Sequence, residues 1–320
     1  MTERIPDVVL APLAGGPSTP ELAAAVANAG GLGFVAAGYL TADELDARLR
    51  RARGLTDGPL GVYLFVLRER PVDEAALAAY AARLAEEGYE LGEPRFDDDA
   101  LDEKIDVVLA ADVQVISTTF GPPPRELLER ARVPVWATVS SPDDAHVDAD
   151  VLVVQGVEAG GHRGAFDDGD ASDLPLLDLL AAVRKRTDRP LVAAGGIGTR
   201  EAARAALEAG AVAVQAGTAF LLCPEAGTHP VHRAAVERGG VTAITRAFTG
   251  RRARGIENAF MREHPDAPSA YPQVHQLTAP MRAAARAAGD PDRVNLWVGT
   301  ALAEARARPA AEVVAALRPG

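Results

Sequence analysis

The chain has a single cysteine, Cys223, in 320 residues. That excludes an internal disulfide and a cysteine-rich metal site. No apolar run reaches about 18 residues without a charge or a turn signal, so no membrane-spanning helix is expected. The first residues, Met1 to Pro6, have neither a basic region nor an apolar stretch. No signal peptide is expected, therefore, and a cytoplasmic location is. Basic charge is in short supply. The 33 Lys and Arg stand against 45 Asp and Glu, a net charge of −12. This argues against nucleic acid or an anionic membrane as a partner, because both select clustered Lys and Arg. No Gly-x-Gly-x-x-Gly string opens a helix after a strand, and no P-loop lysine is present, so a Rossmann site is not indicated.

Present instead is a regular alternation. Apolar β-rich runs alternate with Ala-rich amphipathic segments from residue 7 to about 235, and hydrophobic residues make up 48% of the chain, enough for a large core. The strands are expected at Val8–Leu13, Leu32–Ala36, Leu60–Val66, Val113–Thr119, Val133–Val139, Val151–Gln155, Pro190–Ala194 and Ala211–Gln215. Helix starts are marked by Ser18 and Thr19 with Pro20, by a Ser18–Glu21 capping box, and by Thr41 with Glu44. Helical segments are expected around 73–87, 98–111, 174–187 and 199–209. Eight strand–helix units fit a (β/α)8 TIM barrel. A doubly wound open sheet shares the alternation but not the count of eight. The barrel is assigned residues 1–239 with C-terminal helices from 294 to 320, Val294–Arg308 among them. Residues 240–293 read as an inserted helical and irregular segment covering the active site.

Three strand ends carry glycine. After the sixth strand comes Gly160-Gly161-His162-Arg163-Gly164, after the seventh Gly195-Gly196, and after the eighth Gly217-Thr218. Each alone reads as a tight turn. In a barrel of this class, however, phosphate groups sit at the loops after strands seven and eight. Gly196 also leads toward a helix whose free N–H groups favour an anion, so the two loops together indicate phosphate binding. His162 lies in too glycine-rich a backbone for a packing residue, and a histidine there can move a proton near neutral pH, with an ordinary pKa of about 6.5. Gln155 and Gln215 are amides on otherwise apolar strands. They pair with neighbouring backbone or, at the barrel mouth, hydrogen-bond a heteroaromatic ring or a ribityl hydroxyl. Cys223 follows an apolar run and reads as a small buried hydrophobe. His229 and His232 fall on one helix turn but match no metal motif, and no metal site is assigned.

At these residues the chain resembles the nitronate monooxygenases, FMN-dependent barrel enzymes once called 2-nitropropane dioxygenases. The resemblance runs through Ala11 to Gly16, Gln155 to His162, Ala193 to Ile197 and Gln215 to Thr218. It continues in Gly250 to Asn258, Ala270-Tyr271-Pro272 and Asn295-Leu296-Trp297. It implies FMN across the barrel mouth, with its phosphate on the backbone of Gly196, Gly217 and Thr218. Ala11, Pro12, Leu13, Gln155, Gly160, Gly161, Gly195, Gln215 and Ala216 would also contact the cofactor. His162 would be the base toward a neutral nitroalkane, and Tyr271 would help to bind substrate. Nitronates or nitroalkanes and O2 would be the reactants, with a homodimer as the candidate assembly. One position departs from the family. Where its pattern has asparagine as a flavin contact, this chain has Tyr63. The Glu158 to His162 string is shared with flavin enoyl-acyl-carrier-protein reductases, so an NAD(P)H-dependent flavin reductase, of enoyl thioesters or quinones, is the alternative activity. Tyr63 leaves a third reading, a non-catalytic FMN-binding protein.

Overall fold

The computed structural model describes residues 5–169 and 172–319. Eight strands run parallel around a barrel. In chain order they are β1 (Val8–Leu10), β2 (Gly33–Ala36), β3 (Leu60–Phe65), β4 (Val115–Thr119), β5 (Val135–Val139), β6 (Val151–Gln155), then, after a two-residue strand β7 (Gly161–His162), β8 (Leu191–Ala194) and β9 (Ala213–Ala216). The sheet order is β1-β9-β8-β6-β5-β4-β3-β2. A parallel bridge between Val9 and Leu32 closes the ring between its first two strands.

Both faces of these strands are buried, which is why the sequence shows continuous apolar runs rather than alternation. Val9, Phe34, Trp136, Val153 and Val192 fill the barrel. The opposite faces pack on the surrounding helices through residues such as Leu10, Val35, Leu64 and Leu152. Gly33 is required where helix Pro20–Asn28 crosses β2, because a Cβ there would lie 2.0 Å from the Ala23 carbonyl oxygen.

The helix starts follow local chemistry with one change. Thr41 and Glu44 form the capping box. At the first helix the cap is Thr19, which accepts the Leu22 N–H, with Pro20 as the first helical residue. Ser18 instead accepts the Leu13 N–H at 2.8 Å, and Glu21 pairs with Arg51, so the expected Ser18–Glu21 box is not made. Helix Leu101–Ala110 begins three residues later than expected. Asp97 and Asp98 tie their side chains to the N–H groups of Asp99 and Ala100, a local alternative to helix. After β5 the connection is one 3-10 turn, Pro142–His146, rather than a full helix.

The larger departure is at the C-terminal side. Residues expected to be irregular or helical contain β10 (Thr242–Thr245) and β11 (Ala253–Ile256). They form a three-stranded antiparallel sheet in the order β10-β11-β7. Val294–Arg308 is not an α-helix. Trp297 bridges to Gly255, and only Thr300–Glu304 turns, as 3-10. Tertiary contacts override propensity there: the Gly299 N–H donates to Thr218 Oγ1 at 2.8 Å, and the Thr300 N–H donates to the Glu158 carbonyl at 3.0 Å. Phe248, Phe260 and Val274 of the segment pack on Leu77, Tyr80 and Leu84 of helix Glu74–Glu86 as a second core.

Candidate active site at the barrel mouth

A cavity of about 410 Å3 opens at the C-terminal ends of the barrel strands. Ala11, Pro12 and Leu13 line it beyond β1, Tyr63 on β3 and Gln155 on β6. Gly160, Gly161 and His162 follow from the β6 turn, Gly195 and Gly196 from the β8 turn, and Gln215, Ala216, Gly217 and Thr218 from β9. One hollow therefore collects residues drawn from 200 positions of chain. Tyr271 is not part of this wall, but its ring centroid stands 5.3 Å from that of His162.

The β8 and β9 turns face each other as a polar cradle. Gly195 (φ +111°) and Gly196 (φ +70°) adopt conformations that L side chains rarely take. Among the described residues, the N–H groups of Gly196, Gly217 and Thr218 donate to no backbone acceptor. Thr218 Oγ1 accepts from Gly299, which leaves its own proton to give. Thr199 caps the helix Arg200–Glu208 that follows the Gly196 turn, and the positive end of a helix dipole favours an anion near its start. Among the described residues that line the cavity there is no Asp or Glu, and two arginines, Arg282 and Arg286, line it. A lining with two arginines and no described carboxylate is electrostatically compatible with an anion.

The two glutamines part company. Gln155 spends its amide inside the protein. Its Oε1 accepts from Ser140 at 2.9 Å and from the Gly164 N–H at 2.8 Å, and its Nε2 donates to the His162 carbonyl at 3.1 Å. These bonds hold the turn that carries His162, which is the backbone-pairing reading of that residue. Arg163, buried under the same turn, bonds the Gln155 and Gly156 carbonyls. The Gln215 side chain is buried yet makes no hydrogen bond among the described residues, and so is the amide left for a ligand.

His162 is walled by rings. Phe120, Tyr271 and Trp297 lie with centroids 5.9, 5.3 and 5.6 Å from the imidazole. Its Nε2 sits 2.9 Å from Thr249 Oγ1. Burial, with the Arg251 guanidinium adding to it, pushes the imidazole from its ordinary value down to about 3, against an opposing pull from Asp168. The ordinary value expected from the sequence is therefore corrected, and the ring is neutral at physiological pH. Arg251 itself is buried, donating to the Arg163 and Ala165 carbonyls with its guanidinium 4.3 Å above the Phe120 ring. Cys223 is buried, and burial pushes its thiol up to about 12, away from any nucleophilic role.

Several wall residues escaped the sequence reading. Tyr39, in a left-handed conformation (φ +67°), roofs the cavity. Its ring stacks on His275 at 4.6 Å, and its hydroxyl lies 3.1 Å from that of Tyr271. The Asp99 carboxylate holds the Tyr39 N–H at 2.8 Å, and the fully buried Lys104 pairs with Asp99 at 2.6 Å. Arg282 and Thr249 are brought in by the segment after the barrel, together with Trp297, which the resemblance had already singled out. No local motif marks Tyr39, Arg282 or Thr249. His229 and His232 do line the cavity, on and before one helix. Among the described residues no set of three metal-type side chains converges, and no helix is long and apolar enough to cross a membrane.

Tyr63 faces the cavity, with its ring edge-on to Phe65 at 6.1 Å. On the family resemblance, Tyr63→Asn is expected to keep or improve flavin affinity, because it puts back an amide on the cavity wall, although Tyr63 also packs against the residues that fill the barrel. Titrating apoprotein with flavin measures this. A variant that unfolds with unchanged intrinsic affinity would make Tyr63 a packing residue.

Comparison with known proteins agrees with this geometry. The family model described as "Nitronate monooxygenase" matches residues 2–320. A nitronate monooxygenase of Pseudomonas aeruginosa is 40% identical over 97% of this chain and 94% of its own length. The solved structure of a nitroalkane oxidase from Streptomyces ansochromogenes superposes with a TM-score of 0.91 at 45% identity, covering 97% of this chain and 94% of that one. FabK from Thermotoga maritima gives a TM-score of 0.75 at 25% identity, covering 98% of this chain and 91% of that one.

Proposed function

Because the chain belongs to the nitronate monooxygenase family, we propose that it oxidises nitronates with O2 to a carbonyl compound and nitrite, using FMN, and reaches neutral nitroalkanes by deprotonation at His162. The observation that carries this reading is one cavity with an anion cradle and a neutral histidine on the same wall.

The residues fit a flavin mononucleotide. The free N–H groups of Gly196, Gly217 and Thr218, with the Thr218 hydroxyl, would hold a phosphate. A side chain at Gly217 would press on Leu13 and Ala11 at 3.1 and 3.3 Å, so this floor is open only because it is glycine. Gln215 would hydrogen-bond the ring or ribityl chain, and Ala11 to Leu13 and Gly160-Gly161 would pack against the cofactor. A bound flavin would supply the redox chemistry between a nitronate and O2. The chain's own part is binding and proton transfer. His162, already neutral, can accept the α-proton of a nitroalkane. The transfer creates imidazolium and nitronate side by side, so each new charge stabilises the other, which the low pKa of the ring alone does not measure. Phe120, Tyr271 and Trp297 exclude water from that pair, and Tyr271 places its ring against the base. A nitronate, already an anion, needs no base and is favoured by a wall without carboxylates.

The FabK likeness keeps an NAD(P)H-dependent flavin reductase as the second reading. Flavin released by heat should chromatograph as FMN, because a single phosphate cradle is present and no dinucleotide fingerprint accompanies it. Under anaerobic conditions the bound flavin should bleach with propionate 3-nitronate and not with NADH. FAD in the released material would refute the cofactor assignment. Bleaching by NADH alone would favour the reductase.

A further inference from the structure

We propose that Thr249 fixes the tautomer of His162, so that Nε2 carries the proton and Nδ1 presents its lone pair to the substrate. This makes Thr249 a positioning residue, and it rests on the reading of His162 as the base.

The argument is a count of protons. Thr249 is 1% exposed, so water does not complete its bonding. Its hydroxyl oxygen lies 2.9 Å from His162 Nε2 and 3.3 Å from the Arg251 carbonyl oxygen. A hydroxyl has one proton to give, and a carbonyl can only accept. Both contacts are hydrogen bonds in only one arrangement: Thr249 donates to Arg251 and accepts from Nε2–H. In the reverse arrangement the hydroxyl donates to Nε2. The Arg251 carbonyl, in a residue 6% exposed, then has no donor among the described residues. An unmade buried bond of that kind is strongly disfavoured. Nδ1 makes no hydrogen bond among the described residues, and His162 lines the cavity.

The two side chains cannot drift apart, because their backbones are tied. His162 pairs with Ala253 across β7 and β11, and the Arg163 N–H donates to the Arg252 carbonyl at 2.8 Å. The Thr249 N–H donates to the Arg246 carbonyl at 3.1 Å. Gly250 then turns at φ +76°, where any Cβ would lie 2.5 Å from the Ala270 carbonyl oxygen. Thr249 is thereby held at one depth beneath the ring.

In the step itself, the C–H bond next to the nitro group breaks and its electron pair stays on the substrate as the nitronate. The proton bonds to Nδ1. The resulting imidazolium keeps its Nε2–H on Thr249 and later gives the Nδ1 proton to water.

The test uses purified holoenzyme carrying 15N-labelled histidine, with the His162 signals assigned by their loss in His162→Asn. Nitrogen shifts should show a proton on Nε2 and none on Nδ1. Thr249→Val, of similar volume but without the hydroxyl, should mix the two tautomers. It should also lower the ratio of nitroalkane to nitronate turnover roughly ten-fold, the upper worth of one hydrogen bond. Thr249→Ser should restore both. A proton on Nδ1 in the natural protein overturns the proposal. So does a Val variant with unchanged nitrogen shifts, or a Ser variant that restores neither property. The nitrogen shifts do not depend on turnover, so a failure of His162 as base would be seen separately.

Discussion

Replacing His162 by asparagine is expected to lower turnover of a neutral nitroalkane by roughly 10²–10⁴-fold, the usual worth of a general base, while oxidation of a preformed nitronate falls much less. The difference arises because only the neutral substrate must lose an α-proton. Asparagine approximates the size of the ring within the cage of Phe120, Tyr271 and Trp297, so the wall is kept while the base is removed. Rates are to be compared at matched flavin occupancy, since the same turn includes Gly160 and Gly161. Equal losses on both substrates would make His162 a binding residue, and no loss on either would place it outside the reaction. The pH profile adds a second check. Burial and Arg251 lower the imidazole to about 3, so its charged form is populated only below that pH. Activity between about pH 5 and 8 should therefore show no limb at the ordinary histidine value near 6.5. A limb there that disappears in His162→Asn would mean the ring titrates normally.

Gly217→Val should give a folded protein that is poor in flavin. The backbone at Gly217 has φ −118°, outside the left-handed region that favours glycine, so the hand of the turn does not itself exclude a side chain. The added side chain has to displace Leu13 and Ala11 or enter the cradle. Overpacking of this kind costs about 1–3 kcal/mol, which corresponds to roughly 5- to 150-fold weaker flavin binding. Flavin per protein, measured by absorbance beside a thermal melt, reads both halves of the expectation. Full occupancy in a folded variant would move the phosphate away from the β9 turn.

The barrel was legible because its strands are buried on both faces and its helices begin with strong side-chain caps. Val151–Gln155 and Thr41 with Glu44 declare themselves from a few neighbouring residues. The meeting of the two glycine turns was legible for a similar reason: Gly195-Gly196 and Gly217-Thr218 sit at strand ends whose order places them on one cavity. The segment after the barrel was not. β10 is only partly buried, both strands are short, and β11 gains its second partner from the two residues of β7, 91 positions away by the pairing of Ala253 with His162. Val294–Arg308 has helix-like composition, but contacts from Gly255, Thr218 and Glu158 hold it extended. Thr249 reaches the site by such long-range docking, and no window of sequence shows it; Tyr39 stands in the loop after β2, where its contacts with Asp99, His275 and Tyr271 come from distant parts of the chain. Even for Gln155, position was readable and partners were not, because its amide turned inward to the His162 turn.

The pairing of β7 with β11 separates inheritance of the cofactor from inheritance of the reaction. Every residue in the proposed phosphate cradle belongs to the barrel, whereas the ring of His162, the proposed proton acceptor, is fixed by a strand, a threonine and two aromatic residues supplied from beyond it. A lineage could thus retain its prosthetic group while exchanging the residues that determine what happens to a substrate. Divergence between an oxygenase and a reductase on this scaffold would be expected to concentrate in residues 240–299 and to spare the glycine turns.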